Sequence, residues 1–259
     1  MSAAAQILQA QDDSGIRTLR LARPKANALN AELVEALLAA VKAADRDDTV
    51  QGVVFESAQP GFFCAGFDVA EVFAYDRAAM RAFFARFVEL YEGLLRLPKP
   101  VGGALTGHTV AGGAFLALCF DVRVMALGDF AFAVNEVNFG AIVPSAVTKL
   151  LIDAVGPSVG TRMILSGEPI SPQRAQQLGL VDAAVAVHEV GASTRALVSR
   201  FAAKPRGAFG LAKRKLHEDL GHLQTSKDAA ATEEFLDQWF SPECVRLRRA
   251  LADGLLKRA

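Results

Sequence analysis

Val101-Gly102-Gly103-Ala104-Leu105 is followed, after Thr106, by Gly107-His108-Thr109-Val110-Ala111-Gly112-Gly113-Ala114. The first five residues read as a strand whose glycines let another backbone come close. The glycine-rich run reads as a turn, and Ala114 to Phe120 continues as a buried helix. Strand, glycine turn and helix in that order point to an α/β fold. The N–H groups of Gly112 and Gly113 would open the helix, where free donors and the macrodipole favour an anion. The stretch lacks the Lys of a phosphate-binding loop, so a nucleotide site is not expected.

A second turn of this kind lies upstream. The short buried strand Gly52 to Ser57 leads into Gln59-Pro60-Gly61-Phe62-Phe63-Cys64-Ala65-Gly66-Phe67-Asp68. Asp68 with Glu71 fits a capping box that starts another helix. Donors from two such turns, converging on one oxygen, make an oxyanion hole. Downstream, Ala131-Phe132-Ala133-Val134-Asn135-Glu136-Val137-Asn138-Phe139-Gly140 is an apolar run. It reads as a buried strand or strand end with one carboxylate, Glu136, at its edge. An ionised Glu is costly to bury without partners. Apolar neighbours such as Val134, Val137 and Phe139 would raise its pKa and make it a better base once deprotonated. The plainer reading is a solvated Glu on a turn just past the strand.

The rest of the chain alternates in the same way. Gly15 to Ala22 reads as a strand, broken by Arg23-Pro24-Lys25. Asn30 looks like an N-cap for a helix with Leu33, Val34, Leu37, Leu38 and Val41 on one face. Met80 to Leu97 carries an aromatic stripe, Phe83, Phe84, Phe87 and Tyr91, assigned to the core, and Pro98 and Pro100 end that helix. Val122 to Ala126, Phe130 to Val134 and Val181 to Val187 read as strands. From about Gly191 the pattern is helical, so residues 1–200 are expected to form a core with the site and 201–259 a helical region for oligomerisation and for covering the site.

Composition narrows the partners. Of 259 residues, 52% are hydrophobic and 22% charged, enough for a sizeable core. Lys plus Arg and Asp plus Glu number 28 each, which argues against nucleic acid or a membrane surface and is compatible with self-association. Cys64, Cys119 and Cys244 form no C-x-x-C, and no His, Cys and carboxylate set has metal-ligand spacing. Met1 to Asp13 has no secretory pattern, no apolar run reaches a membrane span, and Leu256-Lys257-Arg258-Ala259 is no peroxisomal address. A cytoplasmic protein is expected. His108 and Cys64 read as packing residues, and Lys213-Arg214-Lys215 as a solvated basic face that could reach a phosphate.

Three stretches together resemble the crotonase (enoyl-CoA hydratase/isomerase) superfamily. They are Arg23-Pro24-Lys25-Ala26-Asn27-Ala28-Leu29-Asn30, Phe63 to Asp68, and Gly107 to Ala114. Ile164-Leu165-Ser166-Gly167 and Ala175 to Asp182 extend the resemblance over nearly the whole chain. It implies a spiral of ββα units with a helical C-terminal region, a homotrimer or dimer of trimers, and a coenzyme A thioester substrate with no separate cofactor. It also implies that the N–H groups of Phe67 and Gly112 hold the thioester oxygen and that Glu136 is the acid-base residue. Coenzyme A would lie along Lys25, Ala26, Ala28, Ala65 and Asp68, with Gly66, Ala111, Phe115, Asn135 and Gly140 completing the substrate contacts. Similar hydratases carry a second carboxylate where this chain has Phe115. Asn135-Glu136 followed by Gly140 and Pro144 resembles the Δ3,Δ2-enoyl-CoA isomerase branch, as does the tail with Trp239. The position of the dehalogenase nucleophile falls on Ile142. Isomerisation is therefore expected. A hydratase, a decarboxylase or a non-catalytic acyl-CoA-binding relative are the alternatives.

Overall fold

Residues 7–222 and 229–256 are described by a computed structural model of the chain. Residues 1–6 of the stretch read for a targeting signal, and the last three of the carboxyl terminus, lie outside the described residues. In chain order the strands are β1 (Leu8–Asp13), β2 (Ile16–Leu21), β3 (Gly52–Ser57), β4 (Phe62–Cys64), β5 (Val101–Leu105), β6 (His108–Val110), β7 (Val122–Ala126), β8 (Phe132–Ala133) and β9 (Ala183–Val185). The helices are α1 (Ala31–Arg46), α2 (Val69–Val72), α3 (Arg77–Arg96), α4 (Gly112–Leu118), α5 (Ser145–Val155), α6 (Pro157–Ser166), α7 (Pro172–Gln177), α8 (Val190–Ala202), α9 (Arg206–Leu216), α10 (Ala229–Trp239) and α11 (Pro242–Leu256).

Two sheets organise the first part of the chain. The larger has the order β1-β2-β3-β5-β7-β9, with β1 antiparallel to β2 and every other pair parallel. Parallel strands are covered on both faces, so they read as continuous apolar runs, and all of β5 is buried. Gly52 and Gly102 are where α8 lies on this sheet. A Cβ on Gly102 would sit 2.5 Å from Val198 and 2.8 Å from Thr194. The smaller sheet is parallel, in the order β4-β6-β8. Each of its strands ends two or three residues before a residue singled out from the sequence: Phe67, Gly112 and Glu136. Carboxyl ends of parallel strands are where α/β folds place their sites.

The helices begin where the capping residues put them. Asn30 accepts from the Leu33 N–H at 3.0 Å and starts α1. Helix α3 starts at Arg77, earlier than its apolar stripe, because Asp76 caps it. It stops before Pro98, as its proline pair dictates. Several expectations need correction. The run Ala131 to Gly140 is a strand only at Phe132–Ala133, and Glu136–Phe139 is a 3-10 turn. Ladder bonding ends at Ala111 N–H to Ala133 O, and the chain then turns on itself through Asn138 N–H to Asn135 O. The last strand is likewise shorter than Val181 to Val187. The capping box is half formed. Asp68 accepts from Ala70 and Glu71, but the Glu71 carboxylate goes to Asn30 and Tyr75 instead of back to the cap.

The basic run on α9 is not all solvated. Lys213 is buried, donating to Asp121 at 2.6 Å and to the Lys99 carbonyl at 3.4 Å. It is therefore not free to meet a phosphate. Asp121 also accepts from the Val101 N–H, so this pair ties α9 to the start of β5. Breaking a buried pair leaves an uncompensated charge. Lys213→Met is expected to lower stability by about 3–5 kcal/mol, read as a fall in the urea midpoint. A loss under about 1 kcal/mol would place the pair with ordinary surface bridges.

Candidate active site

The first loop leaves β4 alongside the segment that follows β2. Ala65 N–H donates to Ala26 O at 3.1 Å, Leu29 N–H to Gly66 O at 2.7 Å, and Asp68 N–H to Leu29 O at 2.8 Å. Phe67 is thus paired with Leu29 in a parallel bridge. In that pattern residues 66 and 68 make the bonds, and the N–H of Phe67 points to the other side. Gly66 has φ 85°, and a Cβ there would lie 2.8 Å from Ala111 Cβ and 3.1 Å from Gly112 N. The two glycine loops therefore touch at Gly66.

The second loop leaves β6 through Ala111, at φ 50° and ψ −128°. A side chain rarely adopts this conformation, and it is held at a cost of about 1–3 kcal/mol. Ala111 keeps its N–H on the Ala133 carbonyl, and its own carbonyl accepts from Phe115 to start α4. The chain reverses between those two bonds, which brings Gly112 N–H to the first position of the helix. A Cβ on Gly113 would meet Cys64 O at 2.4 Å, so α4 packs directly on the end of β4. Among the described residues no acceptor takes the N–H of Phe67 or of Gly112. The Phe67 ring lies over Gly112, where an added Cβ would come within 3.2 Å of it.

Glu136 opens the turn after β8. It is 5% exposed, and its Oε2 has no hydrogen-bond partner. Burial pushes its carboxyl up to about 8, against a smaller lowering by its own backbone N–H. Val134 is buried beside it in sequence, but Val137 is 44% exposed and does not help to desolvate the carboxyl as expected. The three loops meet at a cavity of about 1010 Å³. Lys25, Ala26, Ala28, Ala65, Phe67, Asp68, Ala111, Gly112, Phe115, Asn135 and Glu136 all line it. Gly66 and Gly140 do not. Gly66 is under Ala111, and Gly140, at φ 78°, closes the turn against Cys244. Asp68 and Glu136 are the carboxylates of the lining, and Asp68 is committed to Arg23 and to the α2 cap. Among the described residues no group of His, Cys, Asp and Glu could hold a metal ion.

The far wall comes from α3, whose stripe was assigned to the core, and from the carboxyl-terminal helices. Phe84 of α3, Phe235 and Trp239 of α10, and Leu247 and Leu251 of α11 all line the cavity. Phe84 and Phe235 stack at 3.8 Å, Phe235 and Trp239 at 5.6 Å, and Arg248 lies 4.1 Å over the Trp239 ring. The sequence signal was the stripe on α3, which serves the core and the cavity together. His108 accepts from the Ala131 N–H and holds β6 to the β8 entrance. The thiol of Cys64 is raised by burial to about 12, which leaves it inert. Two unclaimed N–H groups can hold a developing oxyanion, and one desolvated carboxyl can take up a proton in the same cavity.

The family described as enoyl-CoA hydratase/isomerase matches residues 11–251 of the chain. Enoyl-CoA delta isomerase 1, mitochondrial, of Mus musculus is 26% identical over 213 residues, 82% of this chain and 74% of that protein. A probable enoyl-CoA hydratase of Bacillus subtilis (strain 168) is 32% identical over 194 residues, 74% of each. In fold, the chain matches the crystal structure of human mitochondrial delta3-delta2-enoyl-CoA isomerase with TM-score 0.94. That match has 23% identity and covers 98% of this chain and 99% of the other. No described helix is long and apolar enough to cross a membrane.

Burial of Glu136 has a consequence for stability. The folded chain holds this proton up to about pH 8, whereas an unfolded chain releases it near the ordinary 4.5. Between those values the folded state binds the extra proton, so stability falls as pH rises. Glu136→Gln removes the penalty. The variant is expected to match the parent in Tm near pH 4.5 and to exceed it by a few degrees above pH 8. Thermal unfolding of both proteins across that window checks this, and equal Tm at every pH would mean a hydrated carboxyl.

Proposed function

The chain belongs to the enoyl-CoA hydratase/isomerase family of the crotonase superfamily, and from that premise we propose that it is a Δ3,Δ2-enoyl-CoA isomerase. The observation that carries this reading is the single available carboxyl. Adding water across a conjugated double bond needs one group to activate the water and one to protonate the α-carbon. The second hydratase carboxylate falls on Phe115, which is 3% exposed and can do neither. Moving a double bond needs only one group that first takes a proton and then returns it.

The Glu136 carboxylate removes a proton from C2 of a 3-enoyl thioester. The C–H electrons form the C1–C2 double bond of a dienolate, and the charge moves to the thioester oxygen. The N–H groups of Phe67 and Gly112 hold that oxygen. The Glu136 carboxylic acid, now carrying the substrate's proton, delivers it to C4, and the C2–C3 double bond forms. The thioester oxygen returns to a carbonyl and Glu136 to a carboxylate. A carboxyl raised to about 8 suits both halves. It is a stronger base than an exposed Glu and still gives the proton back near neutral pH. The apolar cavity keeps water from the dienolate. Lys25, exposed at the cavity mouth, is a cation suited to coenzyme A phosphates.

The Bacillus subtilis relative favours hydration by its name, and Phe115 weighs against it. A side-by-side assay on 3-enoyl-CoA and 2-enoyl-CoA decides the matter. Isomerisation is expected, with hydration far slower or absent. Glu136→Gln should lower kcat by roughly 10⁴-fold or more, at or beyond the top of the usual range for a general base, with KM changed little. The pH–rate profile of the parent should rise toward pH 8, and that limb should vanish in the variant. Efficient hydration, or near-normal turnover by Glu136→Gln, would overturn the proposal.

A further inference from the structure

Among the described residues no side chain holds the Glu136 carboxyl. Its Oε2 has no partner there, and two of the cavity's other charged groups, Arg23 and Asp68, are paired with each other. Strand β8 and helix α4 carry no charged side chain, and Arg248 of α11 lies over the Trp239 ring. Its position therefore rests on the backbone of the turn Glu136–Phe139. That turn is closed internally by Ala141 N–H to Glu136 O at 3.0 Å. From α6 it is held by Asn138 Nδ2 to Gly167 O at 3.0 Å.

The other side is held by the carboxyl-terminal helices. Gln238, half-buried at the end of α10, donates from Nε2 to the Gly140 carbonyl at 2.6 Å. Helix α11 sits on the same glycine. A Cβ on Gly140 would lie 3.0 Å from Cys244 Cα, and Cys244 Sγ is 3.4 Å from the Phe139 carbonyl. The next residue on α10, Trp239, lines the cavity and meets the Phe67 ring edge-on at 6.3 Å between centroids. One helix end thus reaches the turn carrying the carboxyl and the residue carrying an oxyanion donor.

We propose that Gln238 is a positioning residue, which fixes the turn that aims Glu136 into the cavity and keeps its carboxyl dry. A side chain of the same reach without a donor leaves the Gly140 carbonyl without its partner and lets the turn move off α10. Water then reaches the carboxyl. A displacement of this order, remote from the chemistry, costs turnover and spares affinity.

The test compares Gln238→Met, which keeps the length and loses the donor, with Gln238→Asn, which keeps a neutral donor on a shorter stem and adds no charge beside the carboxyl. The kinetic arm rests on the isomerase reading. The other arm does not: the Glu136 carboxyl is titrated by carbon-13 NMR in each protein. In Gln238→Met the carboxyl should titrate at least about one pH unit lower, as hydration relieves desolvation. Its kcat on 3-enoyl-CoA should fall roughly ten- to a hundredfold, with KM within about twofold. Gln238→Asn should recover part of both. An unchanged titration overturns the proposal, whatever the rate. So does a loss of kcat that only follows a fall in Tm and is not recovered at all by Gln238→Asn. If the parent protein does not isomerise 3-enoyl-CoA, the isomerase reading fails, and the titration alone still decides the role of Gln238.

Discussion

A carboxyl buried without a partner is the constraint that the rest of this structure serves. Desolvation of Glu136 is unfavourable to folding once the group ionises, and among the described residues its Oε2 finds no partner. A counter-charge would restore stability and return the carboxyl to the ordinary acid range, where it would be a poor base. The fold must therefore hold the group by backbone alone. The 3-10 turn, its clamps from α6 and α10, and the aromatic wall beyond it all keep one carboxyl dry and aimed.

The three-stranded sheet supplies the geometry for this. Its strands are two or three residues long, too short to contribute much core. Their value is that they are parallel and adjacent. Three loops leave the same edge, one with Phe67, one with Gly112 and one with Glu136. Contact between the first two is enforced at Gly66 and Gly113, where any Cβ would meet the other loop's atoms. Strain at Ala111 is confined to the residue that turns the Gly112 N–H to the helix start. One face of the larger sheet forms a separate core with α8, the other joins the main core, and neither brings a residue to the cavity lining.

Much of this was legible in the residues. The glycine turns, the buried Glu136, the Asn30 cap and the aromatic face of α3 each follow from local chemistry. The resemblance carried by Arg23 to Asn30, Phe63 to Asp68 and Gly107 to Ala114 named the superfamily to which the chain belongs. Other features depended on contacts distant in the sequence. Glu71 completes a local capping box on paper, but Asn30 and Tyr75 offered it better partners. Lys213 sits in a basic run that reads as solvated, but Asp121 buries it. The run Ala131 to Gly140 is apolar enough for a strand, yet its ladder partner β6 ends at Val110. Trp239 and Phe235 look like ordinary core residues until α10 is placed against α3.

The central claim is that one dry carboxyl carries the same proton from C2 to C4. A 3-enoyl-CoA bearing deuterium at C2, turned over in ordinary water, tests this most directly. If Glu136 makes both transfers in a water-free cavity, mass spectrometry should find a substantial share of the 2-enoyl product with deuterium at C4. No 3-hydroxyacyl-CoA should accompany it. Complete loss of the label from the first turnover, or a hydroxyacyl product, would contradict a single shielded base.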